Sequence, residues 1–197
     1  MAVLFAVLWP LERTLDVLLA LGRWLAMAAL AVMVALILGQ VFFRYILNDA
    51  PSWTEEGARF GMLWLTGLMA PLAYRQGGFV AIDMLGQALA PRLSQLLGLL
   101  LLGIALWVLI ICVDRGLNNH VFSLAGRGDS PSLRVPLGIF GGENIRFLNS
   151  WAYASLATGF VLLLLVNVEL MLRQIIIILG GGGRLKPLGS GDLTRAD

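Results

Sequence analysis

Charged and metal-binding side chains are scarce in this sequence. Only 13% of its 197 residues are charged and 59% are hydrophobic, a far higher apolar share than the roughly 45–50% typical of soluble domains. One cysteine and one histidine exclude an internal disulfide and a two-histidine haem site, and a zinc site would have to rely on carboxylates. No serine, histidine and aspartate set has the spacing of a nucleophilic centre. We therefore expect no enzyme and no metal or cofactor site in this chain.

The chain also lacks the marks of nucleotide or nucleic-acid binding. Its net charge of +2 is too small to favour a nucleic-acid partner. Residues 179–187, LGGGGRLKP, are as rich in glycine as a phosphate-binding loop but lack the Gly-Lys-Ser/Thr ending that binds phosphate and metal. They are typical of a helix stop followed by a flexible tail, which we place at residues 180–197.

What the chain has instead is long stretches without charge, typical of membrane-spanning helices. Three of them cover about 20 residues each, enough to cross a hydrocarbon core of about 30 Å as a helix. A fourth, residues 60–74, fits either a buried soluble segment or a span that begins near Ser52 and ends near Arg75; we favour the span. The sequence thus predicts an all-α membrane protein, with four transmembrane helices in one domain, residues 1–179. The predicted spans are about residues 24–43, 55–75, 93–113 and 147–170.

The chain termini are expected on the cytoplasmic side. The first residues, MAVLFAVLWPL, have no basic residue ahead of their apolar run and are interrupted by Pro10, so they do not form a cleavable signal peptide. We expect a short interfacial N-terminal segment there, and a short amphipathic connection between helices 1 and 2. Four spans place both termini on one side, which has eight of the 14 Lys and Arg residues against six opposite. The positive-inside rule then predicts cytoplasmic termini.

A subunit role is favoured over transport by this chain alone. Ionisable residues inside spans mark ion and substrate sites, and the predicted spans contain essentially none. The internal repeats and broken helices of secondary transporters are missing too. Small residues recur at every fourth position, a spacing that fits close contact with a partner helix or packing of the chain's own bundle. They are Ala31, Ala35 and Gly39, then Gly57 and Gly61, then Ser155 and Gly159.

The stretch APSWTEEGARFGMLWL sets two carboxylates and an arginine at the start of the second span. Ser52 and Glu55 have the S-x-x-E spacing of a capping box. Arg59 follows Glu55 by four residues and Glu56 by three, as in helix ion pairs, and a first-turn carboxylate suits the helix dipole. Trp53 is expected at the level of the lipid headgroups. Three interpretations remain open: a structural helix start, contact with a partner, or a proton or cation site.

The longer stretch FFRYILNDAPSWTEEGARFGMLWLTGLMAPLAYRQGGFVAIDML resembles the small permease subunit of the tripartite ATP-independent periplasmic (TRAP) transporters, the DctQ-type family. In that family an arginine closes the first span, a tryptophan and a Glu-Glu pair open the second, and an arginine-glycine hairpin and an aspartate follow. SPSLRVP and WAYASLATGF resemble its third loop and fourth span. The likeness covers about residues 15–173 and departs from the family at an insertion, residues 137–150. The matching residues are Arg44, Trp53, Glu55, Glu56, Arg59, Arg75, Gly78 and Asp83.

The resemblance implies a three-part importer of an organic acid, such as a dicarboxylate, in the bacterial inner membrane. A periplasmic solute-binding protein would capture the substrate, and a large DctM-type permease subunit would hold the substrate and sodium sites. This chain would be a scaffold surrounded by lipid, with no catalytic, cofactor or metal site of its own, while the complex uses the sodium gradient. Alternatives are the membrane anchor of a redox enzyme, which the single histidine disfavours, and a stand-alone membrane assembly protein.

The same resemblance assigns expected roles to two groups of residues. The motif residues, together with the capping Ser52, become contacts within the bundle or at the subunit interface. They are Arg44, Ser52, Trp53, Glu55, Glu56, Arg59, Arg75 and Asp83. Residues of the loop before the fourth span are candidates for touching the binding protein. They are Ser130, Pro131, Arg134, Glu143 and Arg146.

Overall fold

Four helices form most of the part of the chain that the structure describes. The computed structural model describes residues 2–48, 52–77, 91–118, 129–135, 145–181 and 183. The four helices confirm the predicted all-α class, and the second runs from Ser52 to Arg75 as the favoured reading of the sequence required. They are α1 (Ala2–Ile46), α2 (Ser52–Arg75), α3 (Pro91–Arg115) and α4 (Asn149–Ile178).

Three of the described helices are long and apolar enough to cross a membrane, judged by length and composition. These segments are Leu4–Ile46, Leu93–Asn118 and Ser150–Ile178. α2 has 24 residues and at about 36 Å is also long enough to cross. It is less apolar because Glu55, Glu56 and Arg59 lie in its first two turns. The chain is therefore a multi-pass membrane protein with a fourth helix of weaker membrane character.

α1 extends further than the sequence suggested. It is one helix of 45 residues with Pro10 inside it, about 67 Å long and more than twice the hydrocarbon thickness. The expected short interfacial segment at the N-terminus is instead continuous with the first span. Leu8, Leu15 and Leu19 recur on one helix face and are buried, so tertiary packing stabilises this part as a helix.

The connection between α1 and α2 is short, as predicted. α1 ends at Ile46 and α2 begins at Ser52, which leaves five residues. Leu47 still donates its backbone N–H to the Phe43 carbonyl at 3.2 Å. Asn48 then adopts a φ of 52°, the left-handed conformation that ends helices and that asparagine tolerates better than most residues.

Residue contacts divide the chain into two compact units, and each helix contributes to both. The first unit consists of Met1–Ala20, Ala70–Ile111 and Val161–Asp197. Its core is formed by Leu15, Leu19 and Val166, so the beginning of α1 packs against α4. Partly buried neighbours complete this core: Leu11, Leu72, Tyr74, Leu165 and Leu170.

The second unit, Leu21–Met69 and Cys112–Phe160, has a close crossing of α2 and α4. A Cβ atom added at Gly67 would lie 2.5 Å from the Ser155 carbonyl oxygen, and one at Gly159 would lie 2.9 Å from the Gly67 carbonyl oxygen. Ser155 and Gly159 therefore serve the chain's own packing, as one reading of the small-residue spacing proposed. At Gly39, by contrast, nothing lies within 4 Å of an added Cβ.

The segment before α4, where the resemblance implied an insertion, contains a strand that the sequence did not predict. β1 (Asp129–Val135) and β2 (Ile145–Leu148) pair in an antiparallel two-stranded sheet within the second unit. β2 lies within residues 137–150, the expected insertion, and α4 follows it directly. Strands of four to seven residues carry too weak an alternation to be recognised beside long apolar helices.

Candidate functional site

A buried carboxylate, Glu169 of α4, lies at the centre of the main polar site. Its side chain is 0% exposed, although it lies within the membrane-crossing candidate segment of α4. The Arg75 guanidinium donates two hydrogen bonds to it, from Nε to Oε2 at 2.8 Å and from Nη2 to Oε1 at 2.9 Å. Arg173, one turn further along α4, donates from Nε to Oε1 at 3.1 Å. Two guanidinium groups thus neutralise one buried carboxylate.

Two carboxylates from α1 complete the site on the other side of the arginines. Arg75 Nη1 donates to Asp16 Oδ1 at 2.6 Å, and Arg173 Nη2 donates to Glu12 Oε1. Glu12 and Asp16 are one turn apart on α1, so the same helix face reaches both arginines. We call these five side chains of α1, α2 and α4, all in the first unit, the ion network: Glu12, Asp16, Arg75, Glu169 and Arg173.

The geometry of the ion network suits a structural role, in which it holds helices together, better than a catalytic one. Three carboxylates face two guanidinium groups, and each arginine stays protonated at any ordinary pH, so the arginines do not act as acid-base catalysts. In the part of the chain that the structure describes, no three His, Cys, Asp or Glu side chains are grouped as a metal site would need. Buried ion pairs are costly to break because one partner is left unpaired, so the network holds three helices together.

A second set of polar contacts joins α4 to α3 and α2 in the same unit. Asn167 is fully buried; its Nδ2 donates to the Leu102 carbonyl of α3 at 3.1 Å, while its Oδ1 accepts from Tyr74 Oη at 2.5 Å. Seven residues later, Gln174 Nε2 donates to the Gln95 carbonyl at 3.2 Å. Two turns separate these side chains, so both lie on the α4 face towards α3. All four helices are therefore cross-linked by polar contacts in this unit.

We expect Tyr74→Phe to destabilise the protein by about 1–2 kcal/mol, because the buried Asn167 Oδ1 would lose a hydrogen-bond donor. SDS-induced unfolding in mixed micelles measures the change. Tyr45→Phe is the matched control, since Tyr45 is 78% exposed and its hydroxyl can bind water. Equal stability of the two variants would show that the Tyr74 hydroxyl has no structural role.

The expectation that the spans hold essentially no ionisable residue is wrong for α4. Glu169 and Arg173 lie within Ser150–Ile178, whereas the predicted fourth span ended at residue 170. The helix continues past these charges because the ion network neutralises them. A signal was present in the sequence: the apolar run Ile175–Leu179 follows Arg173, and Glu169 and Arg173 have the spacing of a helix ion pair.

The structure places the predicted motif residues in different surroundings. Arg75 lies in the ion network, 12% exposed. Glu55 and Arg59 form the expected ion pair one turn apart, but at 57% and 77% side-chain exposure. Glu56 is half-buried, and Thr54, which the sequence reading did not single out, is buried. The two adjacent carboxylates therefore differ in exposure, and their role stays a prediction.

The other motif residues lie at helix ends or outside the described residues. Arg44 lies exposed in the last turn of α1, and Trp53 lies 45% exposed in the first turn of α2. Ser52 is the first residue of α2, and its capping role stays a prediction. Asp83 lies outside the described residues.

The predicted docking loop is described only for its strand residues. Ser130, Pro131 and Arg134 lie in β1 and Arg146 lies in β2, whereas Glu143 lies outside the described residues. Their contact with a binding protein stays a prediction.

The second unit also has an apolar cavity of about 510 Å³ among α1, α2 and α4. Small side chains such as Ala28, Gly57 and Ala154 line it, together with Phe60 and Trp64. The Trp64 Nε1 group is buried without a hydrogen-bond partner among the described residues. An apolar lining offers no groups for catalysis or for binding a charged solute, so the cavity does not change the assignment of the ion network as the main polar site.

The chain matches the model of a known protein family. The family model of the tripartite ATP-independent periplasmic transporters, DctQ component, matches residues 33–142, which is 110 of the 197 residues. This range includes α2, α3 and β1 and, of the ion network, only Arg75. Neither the curated proteins nor the solved structures gave a significant match.

Proposed function

The chain belongs to the DctQ component family of the tripartite ATP-independent periplasmic transporters, and we propose on this basis that it is the scaffold subunit of a sodium-coupled importer of an organic acid. The family consists of transporter components, not enzymes, and the chain is its small membrane subunit. In this proposal the partners are a large DctM-type permease subunit and a periplasmic solute-binding protein. The complex lies in the bacterial inner membrane, with both termini of this chain in the cytoplasm.

The observation that supports a scaffold role is the internal neutralisation of Glu169. A carboxylate that binds a transported ion or proton must exchange partners during the transport cycle. Glu169 instead accepts three hydrogen bonds from Arg75 and Arg173, and opening these contacts would leave buried charges unpaired, a penalty of about 3–5 kcal/mol. The ion network therefore favours a fixed helix arrangement over a moving ion site, and the sodium and substrate sites are assigned to the large subunit.

Large apolar side chains are exposed on α1 and α3, which supports the proposal that these helices contact an obligate membrane partner or lipid. Trp24 and Leu38 of α1 and Trp107 of α3 are each more than 60% exposed. Ala31 and Ala35 also lie exposed on α1, so these small residues are not used in the chain's own packing. In lipid, helices associate through close packing of such faces, and we assign this face of α1 to the large subunit.

Co-purification and reconstitution test the proposal. The tagged chain, expressed with its neighbouring genes, is expected to leave the membrane in stoichiometric complex with a larger permease. Liposomes containing this complex should accumulate the organic acid only when the binding protein and an inward sodium gradient are both present. Isolation of a monodisperse chain without a permease would contradict the subunit role, and a haem absorption band in the purified complex would favour a redox anchor.

Glu55 and Arg59 are expected to contribute little to stability and nothing to sodium coupling. Because both side chains are exposed, Glu55→Ala or Arg59→Ala should destabilise the protein or its complex by no more than about 1 kcal/mol. Uptake by the reconstituted complex at several sodium concentrations is the measurement. A normal complex with sodium dependence lost in Glu55→Ala alone would show instead that this carboxylate belongs to an ion site.

A further inference from the structure

The apolar cavity of the second unit is larger than the voids that packed proteins contain. It measures about 510 Å³, whereas few voids in protein interiors exceed the size of a water molecule. Glycine and alanine residues of three helices leave this space open, because their side chains do not reach across it. They are Ala28 and Ala29 of α1, Gly57 and Gly61 of α2, and Ala154 of α4. The second unit therefore has room for a bound molecule.

The cavity opens between α1 and α4, and α2 forms its floor. The exposed lining residues are Ala28 and Val32 of α1 and Trp151 of α4. Both of these helices lie in segments that are apolar enough to cross a membrane, so the mouth faces lipid. The lining residues of α2 are partly buried instead: Gly57, Phe60, Gly61 and Trp64.

Water does not suit this cavity. A buried water molecule needs about two to four hydrogen-bond partners, and the described lining side chains are apolar apart from two indole N–H groups and one thioether. Trp64 Nε1, which has no partner among the described residues, offers a single donor. Apolar cavities with so few polar groups stay dry, so an apolar molecule is the better occupant.

The position of the cavity along α2 places it at the depth of lipid acyl chains. Its floor runs from Gly57 to Trp64, about 6–17 Å along the helix from Trp53, the residue expected at the level of the headgroups. This range corresponds to one leaflet of a hydrocarbon core about 30 Å thick. A partner helix packs against an open helix face, whereas a cavity enclosed by three helices suits a flexible chain.

We propose that this cavity binds an acyl chain of a membrane phospholipid, held as a structural lipid between α1, α2 and α4. The chain contacts Phe60 and Trp64 on the floor, while the headgroup stays outside the cavity. Its methylene groups supply the van der Waals contacts that the small lining residues do not make, so the lipid completes the packing of the second unit. The inference needs only a membrane-spanning chain and does not rest on the proposed function.

Photocrosslinking in nanodiscs tests this inference. The probe is a phosphatidylethanolamine with a diazirine group in the middle of one acyl chain. The protein is the chain as purified from the membrane, together with the large subunit where it co-purifies. Mass spectrometry of its peptides after illumination locates the labelled residues. We expect label on Phe60 and Trp64 as well as on Trp107, which is 67% exposed on α3 and contacts the surrounding lipid.

Two substitutions close the cavity in different ways. Val32→Trp narrows the mouth at a residue that is 59% exposed, and Ala154→Phe fills the interior. Each is expected to reduce the labelling of Phe60 and Trp64 roughly fivefold or more, because a filled interior has no room for a chain. If Ala154→Phe does not fold, Val32→Trp at its exposed position still provides the test.

Val108→Trp is the matched control. It makes the same substitution as Val32→Trp at a residue of α3 that is 46% exposed and does not line the cavity. Labelling of Phe60 and Trp64 should be the same in this variant as in the unchanged protein.

Three outcomes would overturn the inference. The floor could remain unlabelled while Trp107 is labelled, or its labelling could be as strong in Val32→Trp and Ala154→Phe as in the unchanged protein. The floor could also be labelled in the chain alone and not in its complex, which would show that a side chain of the large subunit fills the cavity. A chain that purifies without a large subunit would contradict the proposed function and leave the lipid test intact, so the two failures are distinguishable.

Discussion

Glu169→Ala is expected to destabilise the protein by about 3–5 kcal/mol, the largest effect of any single charge removal in the described residues. The substitution would leave Arg75, 12% exposed, and Arg173, 9% exposed, close together without the carboxylate between them. Asp16 and Glu12 would still pair with one guanidinium each, but the two arginines would lose the buried acceptor of three of their hydrogen bonds, and breaking a buried ion pair is costly. SDS-induced unfolding in mixed micelles, with the yield of complex with the large subunit, measures the effect.

The matched control is Glu55→Ala, which removes a carboxylate that is also one turn from an arginine on the same helix. Because the Glu55 pair is exposed, the control should lose no more than about 1 kcal/mol. A double-mutant cycle of Glu169→Ala and Arg75→Ala measures the interaction between these two side chains. Arg75→Ala should destabilise the Glu169→Ala protein much less than it destabilises the unchanged protein. Additive effects, or equal losses for Glu169→Ala and Glu55→Ala, would show that the ion network does not join the helices.

Gly67→Ala is expected to destabilise the protein by about 1–3 kcal/mol, towards the upper end of that range, although the change adds only a methyl group. The new Cβ atom would lie 2.5 Å from the Ser155 carbonyl oxygen and 3.1 Å from its carbon. The obstacle is backbone, so no change of side-chain rotamer relieves it, and α2 and α4 must move apart. Packing of this kind replaces the hydrophobic driving force that lipid does not supply.

Gly39→Ala is the control, in the same unit and also inside a helix. Nothing lies within 4 Å of an added Cβ there, so the gain in helix propensity of up to about 1 kcal/mol should make it neutral or slightly stabilising. Thermal loss of monodispersity in detergent ranks the two variants. A Gly67→Ala protein as stable as the Gly39→Ala protein would mean that the α2–α4 crossing is wider than described.

The ends of some helices could be predicted from the sequence, and the ends of others could not. α3 (Pro91–Arg115) encloses its predicted span because charges flank an uninterrupted apolar run. α4 extends eight residues past its predicted end at residue 170, because a charge that has a buried partner does not end a helix. The apolar run after Arg173 and the spacing of Glu169 and Arg173 are compatible with a longer helix, but only the structure shows that both charges have buried partners.

For the motif residues, the sequence likewise predicted contacts between near neighbours but not contacts between distant residues. Glu55 and Arg59 are neighbours on one helix turn, so their spacing predicted the ion pair. Arg75 and Glu169 are 94 residues apart, and no local pattern predicts their contact. The pairing of β1 with β2 could not be predicted from the sequence either, because a strand of four residues depends on its partner for stability.

The sequence by itself determined four helices, the membrane class and the family, because long apolar runs and local motifs depend on neighbours along the chain. Only the tertiary structure decided that Glu169 is shared by two arginines, that Gly67 and Gly159 bring two backbones together, and that β1 pairs with β2. Each of these depends on which residues meet from distant positions. Helix packing and strand register determine which distant residues come into contact. The effect of a buried charge, or of a glycine without a side chain, depends on those contacts.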